Sequence, residues 1–171
     1  MAINLTKGQS INLNKDENDL SSITIGLGWK IQAQKTGLMG LFSGKKEDFD
    51  LDAIAFVLDE NDKVTNLGDE RLIGGDVVFF NSLRHPSGNV VHSGDNRVGG
   101  SGAQDDEQIV VKLASMEQRY HKVLFLVCIY QGQRKNQDFG KVENAYIRAI
   151  DAKGKEIDRH PLSAAAATAG H

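Results

Sequence analysis

In this chain of 171 residues, only 114–120 reads as a helical turn. Elsewhere the apolar residues come in short runs broken by Gly, Pro, Asn and Asp, the pattern of strands joined by turns. Residues 3–5 and 11–13 alternate around a turn at 7–10, and further strands read at 23–29, 49–58, 77–80, 90–92, 109–113, 142–150 and 155–159. Gly26 and Gly28 inside one of them suggest a bulge or a close backbone approach. Residues 123–130 are apolar on both faces, the pattern of a central strand covered on both sides, whereas 155–159 reads as an edge strand. The spacing predicts an all-β fold: a sandwich of two mostly antiparallel sheets with long loops and at most one short helix. With no internal repeat and no linker, residues 1–162 are expected to form a single domain. The Ala-rich tail 163–171 is too short to hold a helix alone and is expected to stand outside the fold as a flexible tail.

The run 94–107, Gly-Asp-Asn-Arg-Val-Gly-Gly-Ser-Gly-Ala-Gln-Asp-Asp-Glu, is too rich in glycine for helix or strand and too acidic for a plain spacer. Asp95, Asp105, Asp106 and Glu107 repel when brought together, by about 1 kcal/mol per pair at 4 Å in water and roughly 4 kcal/mol at an effective dielectric near 20. A cation should offset that. Carboxylate, amide and carbonyl oxygens are hard ligands that suit calcium, and the run reads as a calcium site in which Asn96 adds an amide oxygen. Asp50 and Asp52 share one side of their strand with Ile54, Phe56 and Leu58, because strand side chains repeat every two residues. Two acids there fit the rim of a sandwich, where a metal could tie strand to loop; taken alone, the strand favours the plainer reading of an end that merely faces water.

Other chemistries fare worse. The run 59–63, with Glu70 at the twelfth place, half-resembles an EF-hand, but Lys63 and Val64 stand where an oxygen ligand and a glycine belong. Lys45 and Lys46 sit in a glycine-containing stretch that fails the phosphate-loop pattern at Met39 and at Lys46. Lys and Arg number 20 against 23 Asp and Glu, so no broad basic surface argues for nucleic acid. Cys128 lies in the most apolar strand, where a free cysteine acts as a small hydrophobe. His85 and His92 flank a turn near Asp95, yet no third nitrogen or sulfur ligand for zinc follows at a recognisable spacing. No catalytic triad assembles, and binding is expected rather than catalysis. The N-terminus carries no signal-peptide pattern, the one cysteine fits a reducing compartment, and the longest apolar run is far below the roughly 20 residues of a membrane helix. The expected setting is cytoplasmic, without membrane insertion.

In order along the chain stand Gly26-Leu27-Gly28-Trp29, Phe49-Asp50-Leu51-Asp52-Ala53, Val78-Phe79-Phe80-Asn81, the run 86–97 ending in Gly-Asp-Asn-Arg, Asp105-Asp106-Glu107 and Phe139-Gly140-Lys141-Val142. This series resembles the tellurium-resistance, TerD-type family over about residues 1–160. The resemblance implies a calcium-binding β-sandwich of bacterial tellurite and stress resistance, holding one or two Ca2+ ions and working beside other proteins of that system. Carried over, the ligands are Asp50, Asp52, Asp95, Asp105, Asp106 and Glu107, with Asn81 and Asn96 as amide partners. The chain departs from the family pattern at Lys30, at Val98 and Gly99, and at Ser101 and Ala103, each of which removes an oxygen or an acid. The stretches 34–47 and 66–75 are longer than usual. Two rival readings remain: an interaction module whose acidic loop docks a basic partner, and a small-molecule or tellurium-oxyanion binder, which the carboxylates oppose.

Overall fold

The structure, a computed structural model, describes residues 3–4, 17–30, 49–95 and 105–162. Among the described residues nine strands follow in order: β1 (Ile3–Asn4), β2 (Ile23–Lys30), β3 (Leu51–Leu58), β4 (Val77–Val78), β5 (Val90–His92), β6 (Glu107–Val111), β7 (Lys122–Ile129), β8 (Glu143–Asp151) and β9 (Glu156–Pro161). They form a six-stranded sheet of order β1-β9-β8-β2-β6-β5 and a three-stranded sheet of order β4-β3-β7. Every pairing is antiparallel except the short β1–β9 contact. This is the expected all-β sandwich. The expected strand at 11–13, the stretch carrying Lys45 and Lys46, and the tail 163–171 lie outside the described residues.

The core follows from the strand period. Leu27 and Trp29 of β2, Leu51, Ala53, Ala55 and Val57 of β3, and Ile109 and Val111 of β6 all point between the sheets and are buried. Trp29 is fixed there by its indole N–H, which donates to the Phe49 carbonyl at 3.1 Å. The turn at 85–89 closes as expected, with the Gly88 N–H donating to the His85 carbonyl at 2.8 Å and Gly88 in the left-handed region at φ 72°.

Three expectations are corrected. Residues 123–130 are not central and covered. Among the described residues β7 pairs with β3 alone, and Leu124 and Leu126 are 46% and 44% exposed. A continuous apolar run reports hydrophobicity on both faces, but only Val123, Phe125, Val127 and Ile129 meet the core. The strand at 156–161 is not the edge, because β1 pairs beyond it. Among the described residues, helical turns occur not over 114–120 but as two 3-10 turns, Leu113–Ser115 and Phe139–Lys141, the second capped by the Asp138 carboxylate accepting from the Gly140 N–H at 2.8 Å. No helix among the described residues is long and apolar enough to cross a membrane.

Candidate metal centre

β3 brings two acids to one end of the three-stranded sheet, Asp52 within the strand and Asp50 just before it. Alternation places them with Ile54 and Phe56, as expected. That face is the outer one, however, since Leu51, Ala53, Ala55 and Val57 occupy the core. β3 is apolar on both sides, so periodicity alone did not decide which side faced in. Asp95, three residues beyond the end of β5 at the mouth of the acidic run, approaches the same place. Asp50, Asp52 and Asp95 each offer an oxygen within 4.8 Å of the others. They line a cavity of about 190 Å³ walled by Phe80 and Tyr130, whose rings meet edge to face at 5.9 Å, with Lys135 at its side.

Asp52 is a buried acid among other acids. It is only 3% exposed, and the Cys128 thiol stands 4.0 Å from its Oδ2. Burial pushes its carboxyl up to about 7; the charges of Asp50, Glu107 and Asp95 push the same way, and only His92 opposes them. A buried acid facing further acids favours either a proton or a cation. The three carboxylates form a hard oxygen donor set, which fits calcium and not a thiophilic metal.

The remaining expected ligands are engaged differently. Glu107 opens β6 with a fully buried side chain, and its Oε2 accepts from the Ala53 N–H at 2.9 Å, bridging the two sheets. His92 Nε2 stands 3.3 Å from that oxygen. The Gly94 N–H donates to His92 Nδ1 at 3.0 Å, so in the neutral ring the proton lies on Nε2, toward Glu107. Asp106 Oδ2 accepts from the Trp29 N–H at 3.0 Å, while its own N–H donates to the Leu27 carbonyl at 2.7 Å. Asp105 is held by Arg148, whose Nε and a terminal nitrogen donate to its two oxygens at 2.8 and 2.9 Å. Asn81 is exposed in the turn closed by Phe79 and Ser82, next to Phe80 of the cavity wall. Asn96 lies outside the described residues.

A sequence profile of the TerD domain matches residues 1–170. The chain belongs to the TerD family. It is 51% identical over 169 residues to the tellurium resistance protein TerX of Serratia marcescens, covering 95% of this chain and 79% of that protein. To general stress protein 16U of Bacillus subtilis it is 34% identical over 164 residues, covering 95% of this chain and 76% of the other. Among solved structures, a homologue of telluride resistance protein (TerD) from Streptomyces coelicolor A3(2) superposes with a TM-score of 0.57 at 19% identity, over 81% of this chain and 70% of that one. At that identity the likeness speaks for the fold.

Around this candidate centre, the contacts of three residues escaped sequence reasoning. His92 left a faint signal, since it shares the inward face of β5 with Val90. Arg148 left none, because its partner Asp105 lies 43 residues away and outside any strand. Tyr146 and Arg148 do answer the Gly-x-Gly spacing. They pair in register with Gly28 and Gly26, and a Cβ at Gly28 would stand 2.5 Å from the Tyr146 ring while one at Gly26 would strike the Asp105 carboxylate. The close approach expected at these glycines is present, and so is a register shift between Gly28 and Lys30. The two histidines weighed for zinc are committed elsewhere, His92 beside Glu107 and His85 with its Nε2 3.1 Å from Asp76.

Proposed function

We propose that this TerD-family chain is a non-enzymatic calcium-binding protein of the tellurium-resistance and stress-response type, with Asp50, Asp52 and Asp95 as the residues that hold the ion. The observation that carries this reading is the meeting of three carboxylates within 4.8 Å when one of them is nearly fully buried. The bound ion would supply a charge that lets Asp52 ionise without repelling Asp50 and Asp95. Docking of a basic protein would use the same charges, but a nearly buried carboxylate suits a small ion better than a broad surface. A binding role also accords with Cys128, whose thiol burial pushes up, an effect reinforced by Asp52, away from the thiolate a nucleophile needs.

An ion that binds only the folded chain stabilises it by about 2.7 kcal/mol at a hundred times the dissociation constant. For a chain of this length that raises Tm by roughly 5–10 °C. Thermal melts in chelator and in millimolar calcium, paired with native mass spectrometry to count ions, test the proposal. An unchanged Tm and an ion-free mass would refute it.

A further inference from the structure

Asp105 belongs to the acidic run, yet its carboxylate is spent within the protein. Its side chain is fully buried, and it receives two bonds from Arg148, one from the Tyr146 hydroxyl at 3.0 Å and one from the Gln108 amide at 2.9 Å. Gly26 lies beneath it with no side chain, and any Cβ there would collide with the carboxylate. Arg148 is itself braced. Its other terminal nitrogen donates to Glu156 at 2.9 Å; Glu156 is gripped in turn by Arg159, whose guanidinium lies 4.0 Å over the Tyr146 ring. Burial alone would push the Asp105 carboxyl up, but Arg148, Gln108 and Tyr146 more than reverse this and keep it ionised.

Both legs of the acidic run lead from this point to the candidate metal centre. On the outgoing leg, Asp106 is tied to β2, and Glu107 meets the Ala53 N–H, one residue past Asp52. On the incoming leg, the Ser93 N–H donates to the Gln108 carbonyl at 2.8 Å, and Ser93 Oγ accepts from the Gln108 N–H at 2.9 Å. Gln108 thus joins Asp105 to Ser93, two residues before Asp95. We infer that Asp105 is the anchor of the acidic run and not a metal ligand, and that Arg148 is the positioning residue that sets where Asp95 and Glu107 meet Asp52. The inference rests on the calcium reading above.

Charge and position predict opposite signs, which makes the inference testable. Arg148 is a cation beside an anionic site, so if only its charge mattered, removing it would tighten calcium binding. If it positions the carboxylates, removing it weakens binding, by about tenfold or more for an outer-shell partner of a metal site. Calcium affinities are measured by isothermal calorimetry for the wild type, Arg148→Gln, Arg148→Lys and Gly26→Ala, with circular dichroism in chelator to check folding. Arg148→Lys keeps the charge and loses the two-pronged grip. Gly26→Ala changes no charge and displaces Asp105. Weaker binding in every folded variant is the expected result. Wild-type uptake with binding undiminished or tighter in the variants overturns this inference alone. A wild type that takes up no calcium overturns the underlying reading and this inference together.

Discussion

Asp52 and Asp76 are both nearly buried, and their surroundings drive them in opposite directions. Asp76 is pushed up by burial, but the Tyr120 hydroxyl at 2.8 Å, the Asn66 N–H at 2.8 Å, the Thr65 hydroxyl at 2.9 Å and His85 Nε2 at 3.1 Å outweigh that and keep its carboxyl below the usual range. Asp52 has carboxylates where Asp76 has donors. What differs is the partner set, not the depth. Asp52→Asn removes the charge at fault, relieving roughly 1–2 kcal/mol of repulsion and raising Tm in chelator by about 2–8 °C. The same substitution is expected to abolish the calcium-dependent rise. Paired melts of wild type and variant read both effects, and an Asp52→Asn protein that keeps the full calcium shift would remove Asp52 from the site.

Among the elements, β3 and β6 show most clearly what a sequence can and cannot disclose. The alternation of Asp50 and Asp52 with Ile54 and Phe56 was legible, as was the turn at 85–89, because both depend on neighbours along the chain. Which face of β3 lies inside was not, since Ala53 and Ala55 are no more apolar than Ile54 and Phe56; only the opposing sheet decides. Glu107 was read as one acid among several in a loop, yet it heads β6 and caps the Ala53 N–H on β3. Glu107→Ala leaves that buried N–H unpaired, at a cost of about 1–3 kcal/mol. The Tm is expected to drop equally in calcium and in chelator. A drop confined to calcium would instead make Glu107 a ligand.

At the scale of the whole molecule, the acids divide by sign. Asp76, Asp105 and Glu156 have carboxyls held below their ordinary values, Glu156 at about 2 by the hydrogen bond from Arg159 and then by Arg148. Their stabilisation is present above the unfolded values and is lost as pH falls through the folded ones. Asp52, raised to about 7, runs the other way: its contribution is present in acid and lost as pH rises through that value. Metal-free protein is therefore expected to keep its stability from pH 7 to 5 and to unfold cooperatively below about pH 4, as the low-lying acids take up protons. Near-ultraviolet circular dichroism of Trp29 along an acid titration follows this, and unfolding between pH 7 and 5 would contradict it. The sandwich itself was legible as a class, through short strands and turn residues. The order of its strands was not, because β2 pairs with β8 and β6, partners remote in sequence that local patterns do not name.

That remoteness sets a timetable. On the ribosome, Asp105 is polymerised 43 residues before the arginine that grips it, an interval of roughly 2–9 s at ordinary elongation rates. During it the nascent polypeptide carries its acids without their clasp, and β2 waits for the strand that will flank it. On the positioning role inferred for Arg148, the candidate cation site is among the last parts of the molecule to be completed.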